Sequence, residues 1–303
     1  MSEHAKAMVL ASFIGDALAL GPHWEYDVEA LRERYGRVSS YTAPDPDGYH
    51  GGKKAGEFTH YGDQTRILLH SLAEKGGFDL DDFAARWLEA MRGYAGYVDG
   101  ATRMTLKIFD FGEGPAESGS NSNDLAGAAR VAPLVYALRD DLPALVAAAR
   151  AQTKMTHNHA QVIEAAEFFA RAARAVLVDG KSPRAALDSA AEGGYASAPI
   201  DVWLAKGLAS AGQDTAAAIG QFGQSCHIGE AMPAVVHLIA RYEYDLSACL
   251  SQNVMAGGDS AARGLLAGMV VGAAGGMGAI PAAWQGELAE RAGIENDLSR
   301  LRP

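Results

Sequence analysis

Asn253-Val254-Met255-Ala256-Gly257-Gly258-Asp259-Ser260-Ala261-Ala262-Arg263-Gly264 leads into an apolar run that reaches Ile280-Pro281-Ala282-Ala283-Trp284. A glycine-flanked carboxylate in front of small residues is a helix start, and a long helix is predicted from Asp259 onward. The run over residues 265–280 is the part of the chain nearest in character to a membrane span. Seven glycines and alanines before Met277 suit a close-packed interior helix better, so no membrane association is expected.

Outward from this stretch the hydrophobic period is helical almost everywhere and strand-like alternation is scarce, which predicts an all-α protein. Asp79 ahead of Leu80-Asp81-Asp82-Phe83 and Ser182 ahead of Pro183 are helix starts; Gly76-Gly77, Gly93 and Gly193-Gly194 are stops. Two irregular segments, 38–61 and 112–123, are long enough to be functional loops. No linker or solenoid repeat divides the 303 residues, of which 49% are apolar, so a single domain over 1–303 is expected.

A formal charge of −11 argues against a nucleic-acid partner, because phosphate backbones select an excess of Lys and Arg. Met1-Ser2-Glu3-His4-Ala5-Lys6 has no signal-peptide pattern, and Cys226 and Cys249 are the two cysteines, so the expected compartment is a reducing cytoplasm.

Four polar clusters interrupt the helices. Gly15-Asp16 through Trp24-Glu25 reads as a helix ending in a glycine-proline turn. Gly62-Asp63-Gln64-Thr65 reads as a helix start with Asp63 as N-cap. The loop Ser118-Gly119-Ser120-Asn121-Ser122-Asn123-Asp124 can offer donors to a phosphate or be a plain flexible loop. Thr156-His157-Asn158-His159 can place two rings on a metal or form a cap with a solvent-facing ring. His227 and His237 read as core or surface residues. Adjacent Cys226-His227 is poor geometry for a nucleophile and its base, and there is no Gly-x-Ser-x-Gly elbow, so serine or cysteine hydrolase chemistry has no support.

In order and spacing the clusters resemble the ADP-ribosylglycohydrolase family, which includes crystallin relatives. Ser12-Phe13-Ile14-Gly15-Asp16-Ala17-Leu18 with Glu25 is similar to the family's opening helix. Gly62-Asp63-Gln64-Thr65 stands at its Thr-Asp-Asp-Thr, and Gly127-Ala128-Ala129-Arg130-Val131-Ala132-Pro133 at its Gly-Ala-Met-Arg-Val-Ala-Pro. Thr156-His157 matches its Thr-His step, and residues 252–284 match its Gly-Gly-Asp-Thr-Asp-Thr helix. The resemblance implies an orthogonal helix bundle in which two Mg²⁺ ions activate water to cleave the N- or O-glycosidic bond of an ADP-ribosylated substrate. Carried over position by position, it makes Glu25, Asp63 and Asp259 the catalytic residues. Asp63, Thr65, Asp259 and Ser260 become the metal ligands, and Ser120, Asn121, Ser122, Asn123, Asp124 and His157 the substrate-binding set.

Several ligand positions are changed: Gly62 and Gln64 replace a threonine and an aspartate, and Ala261 and Ala262 an aspartate and a threonine. Glu25, Asp63 and Asp259 carry three negative charges against the four positive charges of two Mg²⁺ ions. Arg263, four residues after Asp259, stands where an ion pair with it is expected. At most one Mg²⁺ is therefore expected, with a metal-free cleft as the alternative. Three functions remain open: a divergent hydrolase of an ADP-ribosyl or related small-molecule glycoside, a nucleotide-binding or crystallin-like protein without turnover, and an enzyme for a small guanidino or amide compound.

Overall fold

The computed structural model describes residues 2–301. Among these residues the chain forms seventeen α-helices and one short 3₁₀ turn, with two isolated β-bridges in place of any strand. The all-α expectation holds. Among the described residues, no helix is long and apolar enough to cross a membrane.

The helix Ser260–Gly275 lies at the centre against the N-terminal helix Ser2–Ala19. Glycine lets their backbones touch. A Cβ on Gly15 would come within 2.2 Å of the Gly264 carbonyl oxygen, and one on Gly264 within 2.5 Å of that of Gly15. Gly268 meets the Ala11 carbonyl in the same way. The small residues of the opening stretch are thus a packing face, and Leu246–Met255, Ile228–Arg241 and Ala160–Leu177 close the remaining sides of Ser260–Gly275. This helix stops at Gly275, short of Ile280, because Gly276 turns the chain at φ 67° into the 3₁₀ turn Met277–Ala279.

The caps at Asp79, Ser182 and Asp259 form as expected, each side chain accepting a backbone N–H two or three residues into its helix. Asp63 is a correction. The helix His60–Lys75 starts four residues earlier than an Asp63 cap would place it, with Thr59 as N-cap, and Asp63 lies inside its first turns. Asp16 sets that start: its buried carboxylate accepts the Thr59 N–H at 2.7 Å and the Thr59 hydroxyl at 2.6 Å. The loop ahead of Thr59 is ordered from its other end by Trp284, whose indole N–H donates to the Ser39 carbonyl and whose carbonyl accepts the Tyr41 hydroxyl.

Candidate functional site

Asp259 ends a turn that only glycines can make. Gly257 and Gly258 are both left-handed, at φ 74° and 67°, and aim the chain back so that the Asp259 side chain caps the helix Ser260–Gly275. Asp259 Oδ1 accepts the Ala262 N–H at 3.3 Å, Oδ2 accepts the Tyr61 hydroxyl at 3.0 Å, and the residue is 1% exposed. Its own N–H donates to the Gln224 carbonyl at 2.9 Å, which joins it to the segment that carries Cys226.

That segment is bridged in turn to the loop 118–124. The Leu125 N–H donates to the Cys226 carbonyl at 2.9 Å, and the Ile228 N–H to the Asn123 carbonyl at 2.9 Å. Asp124, Cys226 and Asp259 are thereby gathered, with one donor atom from each lying within 4.8 Å of the others. Burial, and then each other's charge, holds the Asp124 carboxyl well above the ordinary carboxylate range; burial also raises Asp259, against the pull of Arg263 and Tyr61.

Asp124 and Cys226 open on a cleft of about 480 Å³ whose walls are Trp24, Tyr26, Tyr49, Tyr61 and Tyr97, with Asp99 and Gly100 at one side. A hollow of about 370 Å³ continues from Asp99, Gly100 and Asp124 toward Ser120, Asn121 and Ser122. Trp24 is the hub of the aromatic wall. Its backbone is held left-handed at φ 65°, and its ring stacks on His23 at 4.4 Å and meets Tyr97 at 4.9 Å. Such a conformation is strained for a bulky residue; here the Trp24 N–H donates to the Gly258 carbonyl and the Gly258 N–H to the Glu25 carbonyl.

Asp99 is a residue that the sequence reading missed. It caps the helix Gly100–Asp110 through Thr102, and His60 Nε2 lies 3.2 Å from its Oδ2. Burial alone would raise its carboxyl, but His60 and the Thr102 N–H outweigh burial and hold it below the usual range. His60 Nδ1 in turn is 3.3 Å from His50 Nε2. An Asp-Gly before an apolar run reads as a helix cap, so nothing in the sequence separated Asp99 from the other caps.

The other expected site residues are dispersed. Glu25 faces a separate hollow of about 750 Å³ beside Glu33, Arg34, Asp45 and Asp47, and its carboxylate accepts the Asp27 N–H. Asp63 accepts from Lys53 at 2.6 Å and from the Tyr94 hydroxyl. It stands two residues from Tyr61, about 200° around the helix, and so points away from the side on which Tyr61 meets Asp259. Thr65 donates its hydroxyl to the Tyr61 carbonyl at 2.9 Å. Ser260 Oγ is buried without a partner. Asn123 holds His227, while Ser120 both donates to and accepts from the 156–158 backbone. His157 is a buried ring whose Nδ1 lies 2.9 Å from the Thr156 hydroxyl, and His159 stands at the N-cap position of the next helix without a side-chain cap bond. His237 is a core residue between Ser210 and Thr215.

The altered motif positions have structural reasons. A Cβ on Gly62 would lie 2.3 Å from Asp16 Oδ2, so the space of a threonine is already filled. Gln64 Oε1 accepts both the Trp87 indole at 2.8 Å and the buried Arg130 at 3.0 Å. The expected pairing of Arg263 with Asp259 is corrected as well: the guanidinium bonds to the Asn253 side chain and to the Gly257, Asn253 and Gln224 carbonyls. Asp259 is the cap and lies outside the helical spacing on which an i,i+4 pair depends.

The sequence profile of the ADP-ribosylglycohydrolase family matches residues 1–302. The chain belongs to that family. Among similar proteins, crystallin J1A of Tripedalia cystophora is 23% identical, with 93% of this chain and 91% of the relative covered. An uncharacterized protein of Archaeoglobus fulgidus is 26% identical over 99% and 96%. In fold the chain is similar to an ADP-ribosylglycohydrolase-related protein complex, with a TM-score of 0.75 at 24% identity, 99% of this chain and 97% of that one being covered. Family membership supports a hydrolase-like function. The oxygen-only Mg²⁺ site expected at Asp63, Thr65, Asp259 and Ser260 does not fit these side chains, since Asp63 is held by an ammonium and Thr65 by a carbonyl.

Proposed function

We propose that the aromatic cleft hydrolyses the N- or O-glycosidic bond of an ADP-ribosyl or related ribosyl compound. The observation that carries this reading is the meeting of Asp99 and Asp124, with Asp259 behind them, in one cleft walled by Trp24, Tyr49, Tyr61 and Tyr97. The aromatic wall, whose rings meet edge to face, suits a planar base or aglycone. Asp99, ionised and open to the cleft, takes a proton from the attacking water and faces the positive charge that grows on the ribose as its bond to the leaving group breaks. The leaving group takes its proton from solvent, and Asp124 and Asp259 orient the ribose hydroxyls. Among the described residues no Lys or Arg lines either part of the cleft, so a diphosphate would lie on the Ser120, Asn121 and Ser122 donors, and a cationic aglycone such as a guanidino group is favoured.

The experiment is product release from ADP-ribosylated protein and from simple ribosyl glycosides. Asp99→Asn should lower kcat by roughly 10²–10⁴-fold with little change in KM. Unchanged turnover in that variant would remove Asp99 as the base. The likeness to crystallin J1A favours a second reading, a structural or ligand-binding protein without turnover. A raised melting temperature with ADP-ribose and no product release would support it.

A further inference from the structure

We propose that Asp124, Cys226 and Asp259 form a site for one divalent cation that accepts a thiolate, of the class of Zn²⁺, in place of the Mg²⁺ site expected elsewhere in the cleft. The donors come from three segments that are tied together before any ion arrives. Asp259 is bonded through its N–H to Gln224, and the 226–228 segment is bridged to Asn123 and Leu125. Their donor atoms fall within 4.8 Å of one another, with Asp259 buried and the other two half-buried. Three protein donors, two of which open on a cleft with Asp259 behind them, are the number a catalytic Zn²⁺ takes while keeping a position for water or substrate.

Charge points the same way. Among the described residues neither Asp124 nor Asp259 has an ion pair, although they are close enough to repel each other. The guanidinium of Arg263, whose charge reaches Asp259, gives its hydrogen bonds to carbonyls and to Asn253 instead. Two carboxylates and a thiol with no cation bonded to them are the donor set of a borderline ion, whereas Mg²⁺ takes oxygen alone. On binding, the thiol proton and any carboxyl proton pass to solvent as the sulfur and oxygen lone pairs move to the metal. The site shares the cleft of the proposed hydrolase, but its test does not depend on turnover.

The test is titration of the EDTA-treated full chain with Co²⁺, whose thiolate complexes show a charge-transfer band in the near ultraviolet. One equivalent should saturate the band. Zn²⁺ should displace it, and excess Mg²⁺ should not. Cys226→Ser should abolish it, Asp124→Asn should weaken Zn²⁺ affinity by at least about 10-fold, and Asp63→Asn should leave it intact. Absence of the band in the parent protein, its survival in Cys226→Ser, or its loss in Asp63→Asn would overturn the site. If Cys226→Ser does not fold, the parent protein still decides: Zn²⁺, and not Mg²⁺, should protect Cys226 from a thiol-alkylating reagent, while Cys249 is buried and unreactive in both states. Product release without the band keeps the hydrolase and removes the cation; the band without product release does the reverse.

Discussion

Arg263 follows Asp259 by four residues, yet its guanidinium serves the carbonyls of Gly257 and Asn253 and makes no hydrogen bond to that carboxylate. Arg263 is fully buried, and burial lowers its pKa to about 10 against the pull of Asp259, so it remains charged at neutral pH. Its role is to hold the turn that aims Asp259.

Arg263→Met keeps the length of the side chain and removes every donor. The carbonyls of Gly257 and Asn253 would then be buried without a partner, each at about 1–3 kcal/mol. A loss on the order of 3 kcal/mol is expected from urea unfolding, and a loss below about 1 kcal/mol would show that the turn holds itself.

Gly15→Ala tests the central helix contact. The added methyl would meet the Gly264 carbonyl at 2.2 Å, where backbone has to move. Overpacking of this kind costs about 1–3 kcal/mol or more. Thermal melting should show the large drop in Gly15→Ala and almost none in Gly212→Ala, which has nothing within 4 Å. Equal effects would mean that the close approach does not constrain the two helices.

The helical class was legible because local signals set it. Asp79, Ser182 and Asp259 each cap within three residues, and the glycine-rich helix carries its packing face in its own composition. The cleft was legible only at Asp259 and in the loop around Asp124. Its other members, Trp24, Tyr49, Tyr97, Asp99 and Cys226, come from separate irregular segments with no period to connect them. Asp63 was misplaced because its helix start is decided by a contact between Asp16 and Thr59, 43 residues apart.

Acid should destabilise the fold from just below neutrality. Burial, and next to it neighbouring positive groups, lowers His50 and His157 to about 3 and His237 to about 4, against an ordinary 6.5. Below pH 6.5 the unfolded chain binds protons that these rings refuse, so stability falls as pH falls, by about 1.4 kcal/mol per pH unit for each ring. Asp16 acts in the opposite sense. Burial lifts its carboxyl to about 6, despite the Thr59 bonds that lower it, from an ordinary 3.8. Between those values the folded state holds the extra proton, as it also does at the raised Asp124 and Asp259 carboxyls, while the buried His23 ring, also lowered, adds a fourth ring to the opposite side. Urea unfolding at pH 7.5, 6 and 5 should show stability falling toward acid, less steeply than the rings alone would give. His157→Asn should flatten it by one proton, and a stability independent of pH over that range would contradict the buried neutral rings.

Asp63 and Asp259 stand at matched positions of the two altered motifs, and their isosteric amides separate a structural carboxylate from one belonging to the cleft. Asp63→Asn removes the charge opposite Lys53 and keeps an acceptor for Tyr94 at a part-exposed site, where an ion pair contributes about 1 kcal/mol or less. Asp259→Asn keeps an oxygen for the Ala262 N–H or the Tyr61 hydroxyl, so the fold should survive, but it removes a charge from the group that orients the ribose. Product release should therefore stay within about tenfold of the parent in Asp63→Asn and fall by at least about 100-fold in Asp259→Asn. The opposite pattern would make Asp63 the reactive carboxylate and would move the site to the Lys53 and Tyr94 side of its helix.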